Sequence, residues 1–258
     1  MSFIKIKLKI DNTYKQSSQF VKFEDVAKGR KGAVLVDCKN ELVPIVRTTT
    51  KYNHPAQQFT SFHLKIIDQI KQKIKSELKL NDVEFNNALI EIYDDKYTKM
   101  GFHTDQVLDI KDDSFICLFS CYENDSDNAT DHRKLVVQNK TTGKMFEIVL
   151  DNNSAVLFST LTNHQHKHKI ILNVENSKPQ NRWLGITLRM SKTFVQFIKD
   201  NACFASGTLL KLANNEEIKQ FYFHKGRENA NIKYTYPEIN FTISKSDLIK
   251  PIIIENIQ

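Results

Sequence analysis

Between residues 85 and 191 the chain is a succession of short apolar runs separated by polar turns. The runs are 85–93, 114–122, 134–138, 145–150, 155–158, 168–174 and 183–191, rich in Val, Ile, Leu and Phe. Each is too short for a globular helix, and residues such as Thr141-Thr142-Gly143-Lys144 punctuate them like hairpin turns. Asp125–His132 reads as a longer polar loop. So many strands at this spacing predict two sheets folded on one another. The expectation is a mostly β protein with flanking helices (α+β) and a jelly-roll core, the double-stranded β-helix.

Upstream, residues 3–10 alternate, with Ile4, Ile6, Leu8 and Ile10 on one face and Lys5, Lys7 and Lys9 on the other. That is a half-buried strand whose lysines guard a sheet edge. Gly32–Asp37 and Leu42–Arg47 read as two further strands, the second interrupted by Pro44. From Ser61 to Leu80 the period changes, and Phe62, Ile66, Ile70 and Ile74 form an i, i+4 ladder. This predicts an amphipathic helix buttressing a sheet. The expected division is an N-terminal region of strands, lid and helix (1–84), the β-helix core (85–198) and a C-terminal extension packed on it (199–258).

Composition narrows the setting. Lys and Arg number 37 against 30 Asp and Glu, a formal charge of +7, which suits a polyanionic partner. Cys38, Cys117, Cys121 and Cys203 lack paired spacing and read as reduced thiols. No N-terminal apolar run has signal length and nothing approaches a membrane span. The expectation is an intracellular protein, cytoplasmic or nuclear, monomeric, with no membrane role.

The chemistry is concentrated in Gly101-Phe102-His103-Thr104-Asp105-Gln106. On a strand, residues two apart face the same way, so His103 and Asp105 can aim a nitrogen and a carboxylate oxygen at one point. Two histidines and one carboxylate form the facial triad that holds non-haem Fe(II) with open positions. A third donor is available from His164, His166 or His168, which share a face if that run is a strand. Then Arg189 and Ser191 follow on the next strand, a planar fork and a hydroxyl suited to a carboxylate.

The order His-x-Asp, distal His before an apolar strand, then Arg-x-Ser resembles the 2-oxoglutarate- and Fe(II)-dependent dioxygenases, and among them the AlkB-like branch, over roughly residues 85–198. The resemblance implies His103, Asp105 and His168 as the metal and catalytic residues, His168 directly preceding the apolar strand, with His166 the second choice. It implies Arg189 as anchor of the far carboxylate of 2-oxoglutarate, assisted by Ser191 and Tyr93. On this reading Arg189→Ala removes turnover and spares metal binding. Two positions depart from the family pattern: Glu91 stands where asparagine is usual. Val195 stands where a second arginine normally supports the aspartate ligand.

The implied reaction is an oxidation coupled to conversion of 2-oxoglutarate and O2 into succinate and CO2. It demethylates or hydroxylates a modified base in nucleic acid, DNA or RNA, single-stranded or flipped out. Residues 48–55 correspond to a substrate lid, and Arg47, Thr49, Tyr52 and His166 are the substrate candidates. Lys51, Lys167 and Lys169 extend the expected basic rim, and His164 joins Tyr52 and His166 as a stacking platform. The alternative is an oxygenase of the same fold that hydroxylates a protein side chain or a small molecule, which Glu91 and Val195 favour.

Overall fold

The computed structural model describes residues 3–11, 13–98, 100–124, 132–172 and 181–253. Positions 125–131 of the expected polar loop, and the last two of the expected 168–174 strand, lie outside them. The N-terminal region holds β1 (Ile4–Lys7), α1 (Thr13–Ser18), β2 (Glu24–Ala27), β3 (Arg30–Val36), β4 (Val43–Ile45), β5 (Gln57–Gln58) and α2 (Ser61–Leu78). The central region holds β6 (Asn87–Tyr93), β7 (Phe115–Tyr122), β8 (Lys134–Asn139), β9 (Met145–Val149) and β10 (Ser154–Ser159). It continues with the short helix α3 (Thr160–Gln165), β11 (His166–Ile171) and β12 (Trp183–Arg189). Then come β13 (Thr193–Ile198), β14 (Asn201–Phe204), β15 (Lys211–Leu212), α4 (Asn215–Ala230) and β16 (Phe241–Thr242).

The strand order defines the fold. One antiparallel sheet runs β10-β7-β12-β6, extended by β1 on one edge and by β3 and β2 on the other. The facing sheet runs β11-β8-β9, and an antiparallel bridge between His103 and His168 adds the 103 segment beside β11. The chain therefore crosses from sheet to sheet: β6, the 103 segment, β7, β8 with β9, β10, β11, β12. That alternation is the double-stranded β-helix, as the strand spacing predicts.

Both faces of the larger sheet are buried, which explains why β7 and β10 are continuously apolar rather than alternating. Ile116, Leu118, Val156 and Phe158 meet Leu135, Val137 and Ile170 of the smaller sheet in the barrel interior. Their neighbours Cys117, Phe119, Ala155 and Leu157 join Ile66, Ile70 and Ile74 of α2 in a second core on the outer face. The predicted helix thus buttresses the larger sheet, ending at Leu78 with Lys79 in the left-handed conformation (φ 57°). β1 is an edge strand, and Lys5 and Lys7 reach Asp151 and the Asn152 carbonyl. Pro44 is tolerated because β4 is also an edge, pairing among the described residues with β13 alone.

The start of α2 carries a titratable cap. The Thr60 hydroxyl accepts from the His63 N–H, and the Thr60 N–H donates to His63 Nδ1 at 3.1 Å. Nε2–H of the same ring donates to the Ser17 carbonyl at 3.0 Å, so both nitrogens are committed in the neutral form. Burial pushes His63 down to about 4 from the usual 6.5, against the opposing pull of the Ser17 carbonyl. The unfolded chain therefore takes up this proton first as pH falls below 6.5, and the folded state loses stability through that window down to about 4. The expected loss from this ring between pH 7 and pH 5 is about 2 kcal/mol. Urea midpoints of wild type and His63→Gln at the two pH values test this. Glutamine can keep the cap without titrating, so an equal pH dependence in the variant refutes the assignment.

Candidate metal centre

His103, Asp105 and His168 converge, each offering one donor atom, with all three donors within 4.8 Å of one another. The convergence comes from register. His103 N–H donates to the His168 carbonyl at 3.0 Å and His168 N–H donates back at 2.7 Å, so the two histidines face each other across strands. Asp105, two residues on, lies on the same side, with Oδ1 3.9 Å from His103 Nε2 and 3.6 Å from His168 Nε2. These separations exceed a hydrogen bond. Three donors at right angles around a cation need spacings of about 3 Å at bond lengths near 2.1 Å, so a small inward movement satisfies a metal.

Two of the three donors, His103 and Asp105, are held in the protonation states a metal needs. His103 Nδ1–H donates to the Gly101 carbonyl at 3.0 Å, which leaves the Nε2 lone pair facing inward. Burial, then the adjacent His168, push the half-buried His103 ring down to about 3, keeping it neutral. Burial opposes the charge on Asp105, but the adjacent Arg189 guanidinium leads the opposing effects, and the carboxyl is held well below the usual range. His168 Nδ1 is buried with no hydrogen-bond partner among the described residues. The donor set of two imidazoles and one carboxylate fits a non-haem iron site, and its open side faces a cavity of about 410 Å³.

Arg189 lines that cavity, and its guanidinium is spent largely on Asp105. Nη2 and Nε donate to Oδ2 at 3.0 and 3.2 Å, leaving Oδ1 for the histidine side, while Nη1 is buried without a partner among the described residues. The support for the aspartate expected from a second arginine at Val195 is therefore given by Arg189. Val195 itself lies in a separate apolar cluster with Val43, Ile45 and Ala202. Ser191 is buried outside the cavity lining, its hydroxyl donating to the Ile45 carbonyl at 2.6 Å. Tyr93 lines the cavity and donates to Glu91 Oε2 at 2.7 Å.

Glu91 organises the far wall. Arg30 pairs with it through Nε at 2.8 Å, and Tyr52 donates to Oε1 at 3.2 Å. In register with Glu91 stand Gly32 on β3 and Gly185 on β12. A side chain at Gly32 would strike the Tyr52 ring, and one at Gly185 would strike the Trp183 ring. The glycines make room for the Tyr52 and Trp183 rings.

The remaining substrate candidates separate. Thr48, Thr49 and Thr50 line the cavity. Arg47 does not; it is buried, with Nη2 2.7 Å from Asp109 Oδ1 and Nη1 on the carbonyls of Ile239 and Phe241. Tyr52 is 2% exposed and is not among the cavity-lining residues. His166 turns away to the Thr162 carbonyl (2.8 Å) and Asn139 (3.2 Å). His164 lies in α3 rather than on a strand, because Ser159 caps a helix there by accepting from Thr162 N–H. The strand starts only at His166, so His164 does not share the His168 face. Phe102 lines the cavity, and the Lys169 ammonium, outside the lining, sits 4.5 Å over its ring.

Lys225, from the C-terminal region, also lines the cavity, and the sequence offered no motif for it. Asn163 was visible only as part of the histidine run. Its side chain grips both backbone groups of Asp105, accepting from N–H at 2.9 Å and donating to the carbonyl at 2.8 Å.

No protein-family model matches the chain, and no curated protein is similar to it. Among solved structures, OsALKBH1 is similar at 13% identity and a TM-score of 0.47, covering 73% of this chain and 98% of that one. A Pseudomonas putida prolyl-4-hydroxylase is similar at 12% identity and a TM-score of 0.43, covering 73% and 92%. The strand order and the converging donors carry the assignment: this chain is a double-stranded β-helix protein with a His103–Asp105–His168 donor triad lining its barrel cavity.

Proposed function

We propose that the protein is an Fe(II)- and 2-oxoglutarate-dependent oxygenase acting on a modified base in nucleic acid. The observation that carries the oxygenase reading is the convergence of two imidazoles and one carboxylate without hydrogen bonds among them. His103, Asp105 and His168 would hold the iron, which with 2-oxoglutarate and O2 supplies the oxidising chemistry. The chain's own residues bind and shield. Arg189 fixes Asp105 so that one oxygen faces the donors, and its Nη1 is available to a carboxylate. Arg30, Arg189 and Lys225 outnumber Glu91 and Asp105 among the charged side chains of the lining, so a divalent ion leaves the cavity positive and suited to a dianion. Leu118, Leu135, Phe158 and Ile170 form a wall that excludes water.

The nucleic-acid reading is supported by the Phe102 ring in the cavity lining, with the Lys169 ammonium 4.5 Å over it, and by the excess of basic residues. The internal commitments of Arg47 and Tyr52 favour the second reading, a protein side chain or small molecule. Succinate release, followed with single-stranded methylated oligonucleotide and with peptide, separates the two. We expect stimulation by the oligonucleotide, with affinity falling steeply as salt rises. Salt-insensitive turnover stimulated only by peptide or metabolite assigns the second reading.

A further inference from the structure

We propose that α4 is a positioning element of the metal centre, its Lys225 and Asn229 holding the peptide groups of Thr104, the residue between the two clustered ligands. The proposal rests on the reading of His103, Asp105 and His168 as metal ligands. Asn229 Oδ1 accepts from the Thr104 N–H at 2.9 Å, and the Lys225 ammonium donates to the Thr104 carbonyl. Glu228 Oε1 accepts from the Val107 N–H at 2.9 Å, and its Oε2 lies 3.0 Å from Lys225 Nζ. Phe221, Lys225, Glu228 and Asn229 fall along one face of the helix.

The grip is anchored independently of the ligands. Phe221 is fully buried with Ile239, Phe241 and Ile243, and Tyr236 donates to Glu228 Oε2 at 2.9 Å. Lys140, from the turn after β8, donates to the carbonyls of Glu228 and Asn231 at 2.8 and 2.9 Å. The helix is thus tied both to the C-terminal segment and to the smaller sheet. The need for such a grip is physical. Beyond the bridge at His103, the 104–107 segment has no strand partner among the described residues to order it, yet a metal requires donor atoms placed within a few tenths of an ångström. Asn163 holds the peptide groups of Asp105 from α3, and α4 holds those of Thr104.

The test uses the full chain and Mn(II) binding by calorimetry under anaerobic conditions. Thermal melts serve as the fold control and Lys219→Ala, on the exposed side of α4, as the surface control. Asn229→Ala and Lys225→Met should each weaken Mn(II) affinity by about 10–100-fold, the usual effect of removing a group that orients a ligand. Asn229→Asp keeps the acceptor oxygen and should restore affinity to within a few-fold of wild type. Lys219→Ala should leave it unchanged. Folded Asn229→Ala and Lys225→Met with wild-type affinity overturn the proposal. So does collapse of both in melts, which makes the contacts supports of the fold. If wild type binds no Mn(II), or binding survives His168→Ala, the ligand reading fails first, and the two failures are distinct.

Discussion

His168→Ala is expected to abolish stoichiometric Fe(II) binding and to reduce succinate formation by about three orders of magnitude or more. Loss of a metal ligand should exceed the roughly 10–100-fold that loss of a supporting partner costs. The His168 ring is buried against Asp105 Oδ1, so its removal takes away one of three donors and leaves a void beside Phe158. His166→Gln is the informative contrast. Its ring is engaged by Thr162 and Asn139, so metal affinity should stay within a few-fold of wild type. Calorimetry with Fe(II) under anaerobic conditions, followed by succinate assay, checks both. Retained binding in His168→Ala together with loss in His166→Gln would transfer the ligand role to His166.

Arg189→Ala should be the most destabilising single change at the site, and its effect should depend on pH. Arg189 and Asp105 form a buried pair with side chains 6% and 7% exposed. Removing one partner of such a pair costs about 3–5 kcal/mol, because the other charge stays buried and uncompensated. In wild type the depressed Asp105 carboxyl contributes stability above its unfolded value near 3.9, and loses it as pH falls through the lower folded value. In the variant, burial remains and the main opposing cation is gone, so the folded value rises. The deficit relative to wild type is therefore largest at neutral pH and shrinks as Asp105 takes up a proton on acidification. Urea unfolding of the metal-free proteins at pH 7 and pH 4 measures this, and an equal deficit at both would exclude the pair as its source. Metal affinity and 2-oxoglutarate affinity should fall together, because the arginine that could meet the cosubstrate also fixes a ligand. Arg189→Lys should recover part of the stability and little of either affinity, since a point charge cannot reproduce the fork.

What the sequence determined by itself is what local periodicity controls. The His103-x-Asp105 spacing puts two donors on one side wherever the segment is extended, and the apolar runs of β7 and β10 announce strands buried on both faces. The i, i+4 ladder of α2 is equally local. Tertiary structure alone decided where charges and side-chain amides end their reach. Arg47 carries no mark that separates a rim residue from a buried one, and only the fold brings Asp109 against it. The same holds for Arg189 on Asp105 and for Asn229 on the Thr104 peptide. A buried ion pair or a side-chain-to-backbone bond has no period, and its partner can lie anywhere in the chain. It is selected when the folded barrel removes water and leaves each buried polar group to find the one group within hydrogen-bond distance.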